Sequence, residues 1–161
     1  SCAMTGTIDE RLQEVQKIYF DSMVLVYFIE ESPAYINIVD RIFDQINDGQ
    51  IQACTSYLTL LEVLVKPFKA GNTVLASQYR EILTQGRNLE VVPVGKEVAE
   101  KAAEIRAQHR SEHIRTPDSI HLATAVCQNV SLFLTNDLRL KRHKNIVDIL
   151  ALDEALETQD K

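Results

Sequence analysis

The sequence predicts an α/β sandwich, with a mainly parallel central sheet of about five strands and helices on both faces. Two observations carry this expectation. Short apolar runs rich in β-branched and aromatic residues alternate along the chain with longer segments of helical periodicity. The strand-like runs are separated by one or two such helical segments, so successive strands are joined by crossovers and come to lie parallel. No internal repeat, low-complexity tract or Pro/Gly-rich linker interrupts the order, and 161 residues suit one domain with one core.

Thr7-Ile8-Asp9-Glu10 fits a capping box, and Ile8, Leu12 and Val15 follow at helical spacing. These features predict a short helix within an extension of residues 1–17, in which Ser1, Cys2 and Ala3 ahead of Met4 read as an addition. Ile18-Tyr19-Phe20 is the first strand, ending at Asp21, and a helix follows from about Met23 to Glu30. A second helix, expected to start near Pro33, carries Ile36, Val39, Phe43 and Ile46 on one face and stops at Asp48-Gly49. Ile51 to Cys54 is the second strand, after which Thr55 or Ser56 is expected to cap the helix holding Leu58, Leu61, Glu62 and Leu64.

Gly71 breaks that helix, and another runs from about Thr73 to Gln85. Leu89 to Val94 forms the third strand and Lys96 to about Arg110 a long helix. Thr116-Pro117-Asp118 opens a further helix with a hydroxyl cap, a proline in the first turn and an acid at the positive end of the dipole. Ser131 to Leu134 and Ile146 to Leu150 complete the strands. The domain is expected to span 18–152, leaving 153–161 as a tail.

Three cysteines, Cys2, Cys54 and Cys127, are widely spaced and form no C-x-x-C pair, which excludes a disulfide framework and a cysteine zinc site. No segment approaches the roughly 20 apolar residues that span a bilayer, and the amino terminus lacks a secretory pattern, so a cytoplasmic protein without a membrane partner is expected. The net charge of −6 is unevenly divided. Residues 1–62 carry ten acids against three bases, whereas residues 101–144 carry eight bases against four acids. Lys101 and Arg106 read as solvated helix faces. Arg139, Lys141, Arg142 and Lys144 directly follow Asp137 and, with Arg115, are candidate contacts for the phosphates of RNA.

In an open parallel sheet, sites form at the carboxyl ends of the strands. Asp21 ends the first strand and Asp137 follows the fourth. Asp118 begins a helix that leads into a parallel strand, which returns it to the same edge. Glu62, in the second turn of the helix leaving the second strand, reaches that edge with a long side chain. Each acid has a structural alternative as a helix-start, turn or solvated residue. Glu62 fits its alternative worst, because its neighbours Leu60, Leu61, Val63 and Leu64 are apolar and a charge there needs a partner. Four gathered carboxylates repel unless a cation neutralises them, and an all-oxygen set suits magnesium or manganese. Such an ion activates water and neutralises charge on a phosphate. Ser22, Thr135 and Asn136 are expected to orient these ligands.

Other chemistries find no support. Ser22, Ser56 and Ser119 lack the G-x-S-x-G setting of a hydrolase nucleophile, and there is neither a G-x-G-x-x-G nor a Walker loop. His121 is expected to pack or to hydrogen-bond structurally, while His109, His113 and His143 are expected to be exposed. Tyr19, Tyr27, Phe28, Tyr35 and Phe43 fall at core spacing.

Ile18-Tyr19-Phe20-Asp21-Ser22, Thr55-Ser56 with Thr59-x-x-Glu62-Val63, Thr116-Pro117-Asp118-Ser119-Ile120-His121-Leu122-Ala123-Thr124-Ala125, and Phe133-Leu134-Thr135-Asn136-Asp137 resemble, in order and spacing, the successive motifs of PIN-domain nucleases. The likeness runs from about Ile18 to Asp148 and is nearest to the VapC-type toxins of type II toxin-antitoxin systems. It implies a PIN-like (Rossmann-like) fold and a magnesium- or manganese-dependent endoribonuclease. Asp21, Asp118 and Asp137 would be its metal ligands, and Glu62 would bind metal directly or through water. It also implies a homodimer, and a small antitoxin protein that holds it inactive. One departure is Met23, where the family usually has an asparagine that supports the acidic cluster. That departure keeps open a catalytically weak interaction module, beside a nuclease of RNA maturation without an antitoxin.

Overall fold

The computed structural model describes residues 8–157, so Thr7 of the expected capping box, Ser1 to Ala3 and the last four residues lie outside the described part. Five parallel strands are ordered β3-β2-β1-β4-β5. They are β1 (Lys17–Phe20), β2 (Gln52–Ser56), β3 (Leu89–Val92), β4 (Leu132–Thr135) and β5 (Ile149–Ala151). Helix α1 (Ile8–Gln13) precedes β1, α2 (Ser22–Ile29) and α3 (Ile36–Asn47) lead to β2, and α4 (Tyr57–Ala70) and α5 (Thr73–Gln85) lead to β3. Helices α6 (Lys96–Gln108) and α7 (Thr116–Cys127) carry the chain across β1 to β4, and α8 (Leu152–Glu157) follows β5.

Alternation along the strands divides the core into two layers. Ile18, Phe20, Ala53, Leu132 and Leu134 face one side, where they pack with Leu12, Val24, Ile38, Ile42, Tyr79 and Ala155 from helices α1, α2, α3, α5 and α8. Tyr19, Cys54 and Phe133 face the other, against Val98, Ile105, Leu122 and Ala123 from α6 and α7. The register pairs Tyr19 with Phe133 and Phe20 with Leu134 on the fourth strand. Strand order therefore reverses at β1, and the crevice between the carboxyl ends of β1 and β4 is where such a sheet opens a site.

Several boundaries differ from expectation for identifiable reasons. Residues 33–35 form a turn rather than the start of α3, a position that suits the fixed φ of Pro33. Thr55 and Ser56 continue β2 by pairing with Val91 and Val92; Thr55 Oγ1 donates to Phe20 O, and Ser56 is the N-cap residue of α4 as expected but makes no side-chain cap bond. The cap of α7 is Arg115, while the Thr116 hydroxyl accepts a hydrogen bond from Arg106 at 3.0 Å. The third strand ends at Val92 rather than Val94, α6 ends at Gln108 with a 3-10 turn at Arg110–Glu112 beyond it, and β5 starts only at Ile149. Of the expected tail, residues 153–157 belong to α8, whose Leu152 and Ala155 are buried and whose Asp153 amide donates to Asn136 Oδ1. Gly71, at φ 63°, closes α4 by donating to Phe68 O while Asn72 donates to Pro67 O, the paired bonds of a Schellman end. Among the described residues, no helix is long and apolar enough to cross a membrane.

Candidate active site

Asp21 leaves β1 as the first residue beyond the sheet, and its amide donates to Leu134 O of β4 at 3.3 Å. The backbone thus ties it to the crevice. It is only 7% exposed. Asp21 Oδ2 accepts a short hydrogen bond from Thr135 Oγ1, whereas Oδ1 is buried with no hydrogen-bond partner. Burial pushes the carboxyl up to about 6, and nearby Glu62 adds to the rise, against the opposing pull of His121 and the Thr135 hydrogen bond.

Thr135 serves both sides of the crevice, since its Oγ1 also accepts from the Asp137 amide at 2.9 Å. Asp137 Oδ1 in turn accepts from the Arg139 amide at 3.0 Å and from Arg139 Nε at 2.9 Å, and Oδ2 accepts from Arg139 Nη2 at 2.5 Å. The Arg139 fork holds Asp137 below the usual carboxylate range. Arg115 lies between two of the acids, with Nε 3.1 Å from Asp118 Oδ2 and Nη2 4.0 Å from Asp137 Oδ2.

Glu62 enters from α4. Its Oε1 accepts from Ser22 Oγ at 2.6 Å and lies 2.6 Å from His121 Nε2. Burial raises the Glu62 carboxyl, but the hydrogen bonds from His121 and Ser22 outweigh it and hold the group below its usual range. His121 Nδ1 is 2.6 Å from the Tyr19 hydroxyl, which lies 3.0 Å from Ser56 Oγ. Ser56, Tyr19, His121, Glu62 and Ser22 therefore form one hydrogen-bonded chain from the buried end of β2 to the cleft. Burial holds the Tyr19 hydroxyl well above the usual phenol range, so it stays protonated. The ring is fixed by stacking on Phe133 at 5.1 Å.

Asp21, Asp137 and Asp118 are thus joined through Thr135 and Arg115 at the β1/β4 crevice, while Glu62 belongs to a second set of hydrogen bonds and acts on Asp21 through its charge. Ser22 and Thr135 touch them directly. Asn136 does not, because its amide donates to Tyr27 Oη at 3.0 Å and its oxygen caps α8. Of the named bases, Arg115 and Arg139 lie on the acids. Lys141 and Lys144 instead turn to Glu154 of α8, at 3.1 Å and 4.0 Å, and Arg142 is exposed. His143 is buried rather than exposed, whereas His113 is exposed and His109 partly buried.

Sequence reasoning missed Tyr19, Ser56 and the attachment of His121 to Glu62. One signal was present. His121 stands three residues after Asp118, which places both on one face of α7.

The donor set fits a hard divalent cation. The four side chains offer oxygen donors, and one buried Asp21 oxygen lacks any partner; among the described residues, no three of these acids bring ligand atoms within 4.8 Å of one another in the metal-free protein, where Arg115 and Arg139 sit on Asp118 and Asp137.

A model of the family described as PIN domain matches residues 18–146. No curated protein matches the chain. Among solved structures, VapBC2 from Rickettsia felis bound to a DNA fragment from its promoter aligns with a TM-score of 0.67 at 16% identity, covering 84% of this chain and 98% of that one. VapBC-1 from nontypeable Haemophilus influenzae aligns with a TM-score of 0.65 at 14% identity, covering 86% and 99%. The sarcin-ricin loop cleaving toxin VapC20 from Mycobacterium tuberculosis aligns with a TM-score of 0.59 at 16% identity, covering 72% and 86%.

Proposed function

Because the chain belongs to the PIN domain family, we propose that it is a metal-dependent endoribonuclease and the toxin half of a toxin-antitoxin pair acting in the cytoplasm. The observation that carries the reading is the Asp21 carboxylate, buried at the crevice near Glu62 with one oxygen unpartnered. Asp21, Asp118 and Asp137 would hold magnesium or manganese, with Glu62 beside them. The ion supplies positive charge for the phosphate and acidifies a bound water.

The protein's own residues prepare that chemistry. Thr135 fixes the relative positions of Asp21 and Asp137. His121, positioned by Tyr19, orients Glu62, and Ser22 restricts the same carboxylate from the start of α2. Arg115 and Arg139 neutralise the aspartates in the metal-free protein. With the aspartates holding an ion, Arg115 and Arg139 would be free to bind an RNA phosphate bidentately. Lys141 and Lys144, drawn to Glu154, contribute less.

Partners follow from the same reading. The solved complexes matched include one described as a toxin-antitoxin complex from Klebsiella pneumoniae, which supports a small antitoxin for this chain. The apolar face of α3 is buried in the core, but α4 presents Tyr57, Leu61, Val65 and Phe68 to solvent along one face. We assign that stripe to pairing of two copies, since its Tyr and Phe ends and apolar centre have the composition of an interface core.

The test is cleavage of total bacterial tRNA and ribosomal RNA with magnesium or manganese, beside an EDTA control and Asp118→Asn. Discrete fragments that vanish with EDTA and in the variant are expected. A metal-independent or intact Asp118→Asn activity would remove the carboxylate site from the reaction. A second reading, a catalytically weak interaction module, is favoured by Met23, which sits 43% exposed in the first turn of α2 and offers no strong hydrogen-bond donor. A flat calorimetric titration with manganese decides for it.

A further inference from the structure

Outside the carboxylate crevice, the end of α6 and the 3-10 segment Leu138–His143 meet at a second cluster of ligating groups. His109 is the last residue of α6's cap, Glu112 lies three residues on in the 3-10 turn, and His143 ends the segment that begins beside Asp137. His109 Nδ1 is 3.3 Å from Glu112 Oε2, and His143 Nδ1 is 2.8 Å from the same oxygen. One ligand atom from each residue lies within 4.8 Å of the others.

We propose that His109, Glu112 and His143 form a zinc site of three protein ligands with a water in the fourth position, which fastens the loop before α7 to the segment after β4.

Three features distinguish this cluster from an ordinary ion pair. The His143 side chain is 4% exposed, and its Nδ1 and the Glu112 Oε2 are both buried without a hydrogen bond, although they stand only 2.8 Å apart. The ring nitrogen therefore does not aim at the oxygen. That is the geometry expected when nitrogen and oxygen both point at a third position between them. Tetrahedral zinc with bonds of about 2.0–2.1 Å sets its ligand atoms about 3.3 Å apart, so the His109–Glu112 spacing already fits and the His143–Glu112 spacing opens by about half an ångström. Two imidazoles and one carboxylate suit zinc better than the hard ions of the acidic crevice.

The site's place gives it a role. Glu112 lies six residues before Asp118, and His143 lies six after Asp137. Zinc there braces the two loops that deliver half of the acidic cluster, without itself touching RNA.

The experiment is titration of the metal-free full chain with zinc, and with cobalt as a visible probe. It is run on the wild type, His109→Ala, Glu112→Gln and Asp118→Asn. The expected result is one tight zinc equivalent in the wild type and Asp118→Asn, with the visible bands of tetrahedral cobalt. Affinity falls by at least about 100-fold in His109→Ala and Glu112→Gln, since even loss of a ligand's hydrogen-bond partner costs about 10- to 100-fold. Both positions are partly exposed, and Glu112→Gln keeps the side chain's shape, so the variants stay folded for the comparison. Absence of tight zinc in the wild type overturns the proposal. So does zinc lost in Asp118→Asn but retained in the two triad variants.

Discussion

Replacing Asp21 with asparagine separates what the carboxylate does for the fold from what it does for function. The side chain is buried, and its carboxyl is carried from 3.8 to about 6. At about 1.36 kcal/mol for each tenfold change in acidity, the ionised form costs the folded, metal-free protein on the order of 3 kcal/mol. The sign follows from the raised value. The unfolded chain ionises first, so this residue's contribution to stability is intact below about pH 4 and is lost as pH rises through about 6. Asparagine does not titrate, and any fixed cost of its amide cancels between two pH values. In EDTA, the stability of Asp21→Asn relative to wild type should therefore rise by roughly 2–3 kcal/mol between about pH 4 and 8. For a chain of this size that is a relative gain of roughly 5–10 °C in Tm. The assay is thermal or urea unfolding at several pH values. Manganese at about 100 times its Kd should then stabilise the wild type by about 2.7 kcal/mol and the variant little. A stability gap that stays flat with pH refutes the reasoning, because burial would then not be destabilising the Asp21 charge.

Other perturbations test the remaining parts of the network. Tyr19→Phe keeps the stack on Phe133 but strands His121 Nδ1 and Ser56 Oγ in a buried setting, so it should lower stability by about 1–3 kcal/mol by urea unfolding and weaken cleavage by loosening Glu62. Arg139→Ala should reduce the salt slope of RNA binding by about 1, read by fluorescence anisotropy of a non-cleaved RNA, whereas Lys141→Ala, already paired with Glu154, should leave it nearly unchanged. Equal slopes for the two would assign the phosphate contact elsewhere. Leu61→Asp, at a position 62% exposed on α4, should leave the fold within about 0.5 kcal/mol of wild type yet yield monomers by light scattering. An unchanged mass would move the interface off α4.

By itself the sequence determined the succession of elements, because period-2 and period-3.6 patterns are local properties of a chain. Thr73 to Gln85 needed no correction, being framed by Gly71 and Gly86. Asp21 and Asp137 were legible as neighbours at the carboxyl edge because strand ends in a parallel sheet converge wherever the strands are adjacent. Errors arose where a distant group competed with a local one. Thr116 has the chemistry of a cap but is held by Arg106, Thr55 reaches across the sheet to Phe20, and residues 153–157 of the supposed tail are helical because Asn136 caps them and Tyr35 holds Asp153. The same holds for the basic residues after Asp137. Composition counts them alike, but only folding shows that Arg139 faces the crevice while Lys141 faces α8. Tyr19, Ser56 and His121 are separated by as many as 102 residues and look like strand, cap and core when taken singly. Their joining to Glu62 was decided by tertiary structure alone, because a hydrogen bond depends on distance and direction in space, neither of which spacing along the chain specifies.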